Sequence, residues 1–341
     1  MNTNWQDYLV TRGARFDNDN VSSFGNPADE LRSAAQATIV VPLTHLGLIS
    51  CAGDDAKTFL QNQLTSDVNH LANDGVQHSS WCSHKGRMQA SFLFYRKDDE
   101  YRGLISADLL DATLPQLQRY VLRAKAKLSN LSEAHVAIGI AGPAAADALR
   151  AAGLSLPGSS MSSSEFAAGT VISLTPYRFI VVAEIVAATE LFEKLSVTVQ
   201  LAGVPTWLWH DIQAGIVLVT AAIKEEFVPQ MVNFDQIGGV SFHKGCFPGQ
   251  EVVARARYLG KIKRHLYRIK TTGAVNAGDS LFEAGSHDQV SGVVASVAPA
   301  PDGGFVALAV IKESAIASDE IHLEIPGVIV TGLEAVVVSE I

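Results

Sequence analysis

Of the three cysteines in this sequence, Cys51, Cys82 and Cys246, only the last stands where a thiol could do chemistry. Gly245 and Gly249 flank Cys246-Phe247-Pro248, and Glu251 to Leu259 is a helical sequence ending at Gly260. Pro248 suits the first turn of such a helix, where its missing N–H breaks no bond. The spacing therefore predicts Cys246 just ahead of a helix N-terminus, where free N–H groups and the helix dipole favour an anion. With Lys244 close by, that setting raises the thiolate fraction of a cysteine. The competing reading is a buried small hydrophobe in a loop. The glycines and the flanking charge favour a functional thiol.

A basic run follows directly. Arg255, Arg257, Lys261, Lys263, Arg264, Arg268 and Lys270 occur with no acidic residue between Glu251 and Asp279. Such a stretch could receive phosphate or carboxylate groups. It could equally be a solvated helix face followed by an edge strand carrying protective lysines. Cys82 lies in an alternating β stretch beside Trp81, and Cys51 follows an apolar strand, so both read as core. Asp54-Asp55 reads as helix N-terminal charge rather than a metal pair. Dinucleotide-binding glycine patterns, P-loops and nucleophile elbows are absent.

The elements that must position these residues form an α+β pattern without a βαβ rhythm. Residues 1–36 read as a lead-in segment with a short helix at Pro27 to Ala37. A strand is expected around Leu43 to Cys51. A helix follows Gly53-Asp54-Asp55, with Ala56, Phe59, Leu60 and Leu64 at helical spacing. Val76 to Arg96 is β-rich, with a turn at Lys85-Gly86 and another at Lys97-Asp98-Asp99-Glu100. A long helix is predicted from Asp108 to Lys125, with Leu109, Leu110, Leu117, Tyr120 and Val121 on its buried side. Next come a strand at Val136 to Ile140, a helix at Pro143 to Ala151 closed by Gly153, and a loop over Leu156 to Ser164. Strands at Thr170 to Thr175 and Arg178 to Ala183 precede helices at Ala187 to Leu195 and Thr206 to Ala214. Beyond His265 short alternating strands alone remain, separated by turns at Asn276-Ala277-Gly278-Asp279, Ala284-Gly285-Ser286, Pro301-Asp302-Gly303-Gly304 and Pro326-Gly327. They predict a small all-β domain, sandwich or barrel.

Composition bounds the rest. At 341 residues the chain calls for two or three domains. Its 48% apolar and 18% charged content is that of a globular protein, and a net charge of −9 argues against wholesale nucleic-acid binding. The first residues lack a basic and an apolar region of a secretory signal, and no apolar stretch is long enough to span a bilayer. A soluble cytoplasmic protein with no membrane partner is expected. An odd number of scattered cysteines fits a reducing compartment, and without a Cys/His cluster no structural zinc or resident iron–sulfur cluster is expected.

Glu226-Phe227-Val228-Pro229-Gln230-Met231-Val232-Asn233 and Gly238-Gly239-Val240-Ser241-Phe242-His243-Lys244-Gly245-Cys246-Phe247-Pro248-Gly249-Gln250-Glu251-Val252-Val253-Ala254-Arg255 resemble the signature of the YgfZ family of folate-binding proteins. Phe59-Leu60-Gln61-Asn62-Gln63-Leu64-Thr65-Ser66-Asp67-Val68 and Gly86-Arg87-Met88 support the resemblance, which runs from about residue 40 to the C-terminus. The family is related to the T-protein of the glycine cleavage system, an aminomethyltransferase, and to folate-dependent demethylases. The resemblance implies a three-domain T-protein-like ring around a central folate pocket, with a C-terminal all-β barrel. On that plan residues 37–264 form the folate-binding region, as two interleaved α+β subdomains, and 265–341 form the barrel.

Tetrahydrofolate is the implied cofactor, and iron–sulfur client enzymes such as those that thiolate tRNA are the implied partners, with an indirect effect on tRNA modification. The T-protein's catalytic Asp falls, by alignment, in Met88-Gln89-Ala90-Ser91-Phe92, which holds no carboxylate, so the chain is not expected to be a conventional enzyme. The resemblance places Cys246 and Lys244 at the functional centre and a folate-contacting tryptophan at Trp207. A second family tryptophan aligns with Leu46. Gln230 and Asn233 are candidates for the polar edge of the pterin, and Gln250, Glu251 and Arg255 complete the implied site. Phe247 replaces the more usual Tyr, so a mechanism needing that hydroxyl is unsupported. Two other functions remain open: a folate-dependent aminomethyltransferase or demethylase, and a module that contacts tRNA directly through Arg255 to Lys270.

Overall fold

The computed structural model describes residues 2–258, 262–283, 289–316 and 321–337. The helix end at Gly260, Lys261 of the basic run and the Ala284-Gly285-Ser286 turn lie outside the described residues.

Period-two burial sorts the central strands between two cores. In Met88–Lys97, Ala90, Phe92 and Phe94 face one cluster with Phe59, Trp81, Phe227 and Phe247. Leu93 and Tyr95, on the other face, join Val41, Leu43, Leu104, Ile180 and Trp207. A strand covered on both faces belongs inside a sheet, and this one lies between Val76–Cys82 and Glu100–Ser106 in an antiparallel five-stranded sheet completed by Leu46–Ala52 and Lys127–Asn130. The turn expected at residues 97–100 is tight, with Asp98 at φ +54°.

A second sheet has six strands in the order Ser162–Phe166, Gly169–Thr175, Arg178–Glu184, His135–Ala141, Ile39–Pro42 and Gln200–Leu201. Its last pair is parallel and the others antiparallel. Ile39–Pro42 is thus separated in sequence from its antiparallel partner by the whole five-stranded sheet. Strand Ser162–Phe166 corrects the loop expected over Leu156 to Ser164. Its antiparallel register with Gly169–Thr175 turns that Ser-rich stretch into a hairpin arm.

Two further expectations change. The helix predicted to reach Lys125 runs only over Ala107–Gln118 and contains Pro115, which removes an intrahelical bond. Arg119, Tyr120 and Val121 then donate to carbonyls three residues back, and Leu122 turns left-handed at φ +49°. Tyr120, expected in the core, is consequently exposed. Residues 1–36 hold more than one helix. Thr3–Thr11, capped by Asn2, and the hairpin Arg15–Asp17/Asn20–Ser23 precede the expected Pro27–Gln36. Trp5 and Leu9 are buried with Phe179 and Phe192 against the six-stranded sheet.

The C-terminal residues form an antiparallel sheet in the order Ile321–Leu323, Ser280–Glu283, Val290–Pro299, Phe305–Lys312, Arg264–Thr271 and Val330–Ala335. The all-β expectation holds, but among the described residues the ladder is not closed. Its two outer strands are not hydrogen-bonded neighbours, so the sheet curls as a half-barrel rather than a barrel.

Candidate functional site

Two places bring the candidate residues together. The first is a cavity of about 350 Å³ lined largely by apolar side chains, including Leu46, Phe92, Leu93, Leu104, Trp207 and Phe234. Trp207 comes from helix Val204–Ala214, which opens at Gly203 with Pro205 in its first turn and closes on Gly215 in the left-handed conformation. The indole is 2% exposed and seats against Gly139, where a β-carbon would approach it to 2.5 Å. Leu46, at the start of strand Leu46–Ala52, lies in the same wall. These two sequence-predicted residues do share one site.

The polar groups of that cavity were not foreseen. Arg178 of strand Arg178–Glu184 stands over the Trp207 ring, 4.6 Å from its centroid, and its Nη2 donates to Asp211 Oδ1 at 2.5 Å. Both side chains are largely buried. Burial pushes the Asp211 carboxyl up, and Arg178 opposes that shift. Asp211 lies four positions after Trp207, on the same helix face, a spacing that could have flagged it. Arg178 comes from another element and carried no local signal. His45 and His78 also line the cavity, and burial lowers each imidazole to about 4. Ser91, in the Met88 to Phe92 segment, lines it too, and its Oγ accepts from the Val219 N–H at 2.8 Å. His45 Nδ1 and Arg178 Nε are buried without a hydrogen-bond partner.

The second place is the Cys246 loop. Its thiol is exposed between two buried side chains, Lys244 and Phe247. Helix Gln250–Tyr258 forms about where the sequence places it, but without Pro248 in its first turn. Gly249 is left-handed at φ +78°, so Pro248 sits outside the helix rather than in its first turn. A β-carbon at Gly249 would meet the Ser83 carbonyl at 2.3 Å and Gly86 at 2.7 Å, and this close approach fixes the loop on the 83–86 turn of the five-stranded sheet. Met88 braces the upstream arm, donating to the Phe227 carbonyl at 2.9 Å and accepting from the Glu225 N–H at 2.8 Å.

The Lys244 ammonium is turned to backbone carbonyls. Its Nζ donates to the carbonyls of Gln61, Leu64 and Ser66 at 2.6, 2.5 and 2.8 Å. Burial lowers its pKa to about 8, with Asp67 pulling it back, so it is an ammonium at neutral pH.

The remaining candidates lie away from the cavity lining. Gln230 Nε2 donates to the Val253 carbonyl at 2.6 Å, and Asn233, left-handed at φ +58°, bonds the Val336 carbonyl and accepts from Gln236. These bonds hold backbone of the 225–258 arm and the residue after the last C-terminal strand, while Gln230 Oε1 is buried without a partner. Gln250, Glu251 and Arg255 lie on the helix after the loop, the last two exposed. The basic run is divided. Arg268 donates to the Ile212 and Gln213 carbonyls and pairs with Glu334, and Lys270 pairs with Asp302. Arg257 stacks on Phe242 at 4.1 Å. Among the described residues no helix is long and apolar enough to cross a membrane, and no cluster of three metal-ligating side chains occurs.

Residues 7–176 match the family described as the GCVT N-terminal domain. The tRNA-modifying protein YgfZ of Vibrio vulnificus is 34% identical over 238 residues, which is 70% of this chain and 72% of the relative. Its namesake in Yersinia pseudotuberculosis is 31% identical over 287 residues, 83% of this chain and 86% of the relative. Among solved structures, the glycine cleavage system aminomethyltransferase T of Bartonella henselae superposes with a TM-score of 0.79 at 20% identity, covering 94% of this chain and 92% of that one. That likeness shows a shared fold of mixed helices and sheets.

Proposed function

The chain belongs to the YgfZ family, and from that premise we propose that it binds a tetrahydrofolate in the Trp207 cavity and acts in tRNA modification, by supporting iron–sulfur cluster assembly or repair in client enzymes through Cys246. The observation that carries the folate part is the cavity itself. Its volume of about 350 Å³ and largely apolar lining suit a small heteroaromatic ligand, with a few fixed polar groups to orient it. The buried, unpartnered His45 Nδ1 and Arg178 Nε fit the hydrogen-bonding edge of a pterin. Bound tetrahydrofolate would supply one-carbon carrier chemistry.

This chain's own residues would do the binding. Trp207 and Phe234 offer aromatic contact, the Arg178–Asp211 pair offers fixed donors and acceptors, and the neutral imidazoles of His45 and His78 add uncharged polar edges. On this reading the region 37–264 supplies the cavity's lining, and the lead-in 1–36 and the half-barrel 265–341 stand outside it. The segment where the T-protein carries its catalytic Asp has Ser91 turned to the cavity instead, and Asp211 is already paired. That supports a role in binding and presentation rather than aminomethyl transfer. The tRNA-modifying name belongs to the relatives, and the divided basic run favours an indirect connection over direct tRNA contact.

Fluorescence titration with tetrahydrofolate, using Trp207→Phe to spare the core, tests the cavity. Loss of stacking worth ~1 kcal/mol predicts roughly five- to tenfold weaker binding. Unchanged affinity would place the ligand elsewhere. Complementation with Cys246→Ala tests the thiol separately, and full support of a tRNA-thiolating iron–sulfur enzyme by that variant would remove Cys246 from the function.

A further inference from the structure

We propose that Lys244 is a positioning residue: its buried ammonium locks the Cys246 loop to the 61–67 turn and, through that turn, to the strand that forms one wall of the Trp207 cavity. An ammonium has three protons and no acceptor. All three of these protons have backbone carbonyl partners, Gln61, Leu64 and Ser66, and the side chain is buried. Two of those carbonyls belong to the last turn and C-cap of helix Ala56–Gln63, the third to Ser66, two residues past the cap. Helix C-termini carry unpaired carbonyls and negative dipole charge, so a buried cation there satisfies groups that would otherwise be stranded.

The turn under the ammonium is itself cross-linked. The Gln61 side chain accepts from the Val68 N–H at 2.8 Å and donates to Asp67 at 3.0 Å. Ser66 Oγ donates to Ser79 Oγ at 2.7 Å, and Thr65 Oγ1 bonds Ser80 Oγ at 3.0 Å and donates to the Gly239 carbonyl at 2.6 Å. Ser79 and Ser80 follow the cavity-lining His78 on strand Val76–Cys82. The Ser241 N–H donates to the Thr65 carbonyl at 2.9 Å, so the segment before the motif joins the same network. Lys244 and Phe247 thus anchor the loop from beneath on both sides of Cys246, with the ammonium 5.3 Å from the Phe247 ring centroid. The lysine sets where the thiol stands.

Lys244→Met keeps the aliphatic stem and removes the three donors, and Lys244→Arg replaces converging donors with a planar fork. In both variants, amide exchange of residues 64–70 and 241–249 should accelerate at least roughly tenfold, with the central strands Met88–Lys97 and Glu100–Ser106 still protected. The midpoint of the pH profile for Cys246 alkylation should not move in Lys244→Met. An upward shift of that midpoint with unchanged exchange would overturn the proposal in favour of a charge acting on the thiol. Exchange spreading through the whole five-stranded sheet would reduce Lys244 to a general stability residue and equally overturn it. Should either variant fail to fold, the wild type decides by lysine Nζ NMR. A slowly exchanging ammonium resonance, absent from Lys244→Gln if that variant folds and otherwise assigned by contacts to residues 61–66, is expected, and a fast-exchanging one refutes the lock.

Discussion

The Trp207 cavity and the Cys246 loop hold their functional groups in opposite ways. In the cavity the charged groups are buried and paired with each other, the imidazoles are neutral, and the lining is drawn from several separate segments of the chain. In the loop every buried polar group serves the backbone, and one thiol is left outside. A preformed cavity of this kind recognises a ligand with little reorganisation. A braced exposed thiol presents itself to something that arrives. The two are joined through the Ser/Thr network between strand Val76–Cys82 and the 61–67 turn, and through Phe234, which lines the cavity and shares a core with Phe247. Mutation tests whether recognition and presentation can be separated.

The largest break should come from the cavity. Arg178→Ala leaves Asp211 buried without its cation, and stranding one half of a buried pair costs ~3–5 kcal/mol. Urea unfolding should show that loss. The double variant Arg178→Met/Asp211→Leu should recover most of it while binding no tetrahydrofolate. If Arg178→Ala alone is neutral, the pair is solvated rather than buried.

Acid should distinguish the two regions next. Burial holds His45, His78 and His210 down from 6.5 to about 4. Between those values the unfolded chain binds protons that the folded one refuses. These histidines contribute stability that is present above pH 6.5 and is lost as pH falls towards about 4. Asp211 works with the opposite sign, since its raised pKa gives stability below the ordinary aspartate range that is lost as pH rises. His243, beside the thiol, is exposed. Tetrahydrofolate affinity and thermal midpoint should therefore fall together below pH 6.5, and the His78→Phe variant should narrow the fall. Identical pH profiles in that variant would exclude the cavity imidazoles as the cause.

Much of the loop could be read in sequence, and much of the cavity could not. The glycines around Cys246 and the helix after it are local signals, and Trp207 was marked by its match to a folate-contacting tryptophan of the family. Asp211 was readable from helical spacing. Arg178 reaches Trp207 from a strand of the six-stranded sheet, and such contacts depend on how sheets and helices pack, which no local window encodes. Lys244 shows the same limit on a smaller scale. Its nearness to Cys246 in sequence suggested a charge beside the thiol, but a side chain's direction is set by which carbonyls lack partners, here those at the end of a helix about 180 positions earlier. Pro115 was in plain view, and reading it would have shortened the helix over Ala107–Gln118. The all-β character of the C-terminal sheet was legible from its alternating pattern and turns, whereas closure depends on which strands pair.

Gly249→Ala is the milder structural test. It places a β-carbon against the Ser83 carbonyl at a left-handed position, a strain of ~1–3 kcal/mol. The expected outcome is faster amide exchange at residues 245–250 and the 83–86 turn, with tetrahydrofolate affinity kept. An equal loss of affinity would mean that loop and cavity form one cooperative unit.

The smallest physical change should have the clearest functional meaning. Cys246→Ser alters one exposed atom, and exposed substitutions away from packing or capping contacts stay within ~0.5 kcal/mol. Thermal midpoint and tetrahydrofolate affinity should match the wild type within error, and support of a client iron–sulfur enzyme should be lost. Because Lys244 and Phe247 hold the loop without help from the sulfur, a defect in Cys246→Ser reports on thiol chemistry rather than on folding. A variant that lost folate affinity as well would show that the sulfur supports the cavity, and the division between recognising and presenting would not stand.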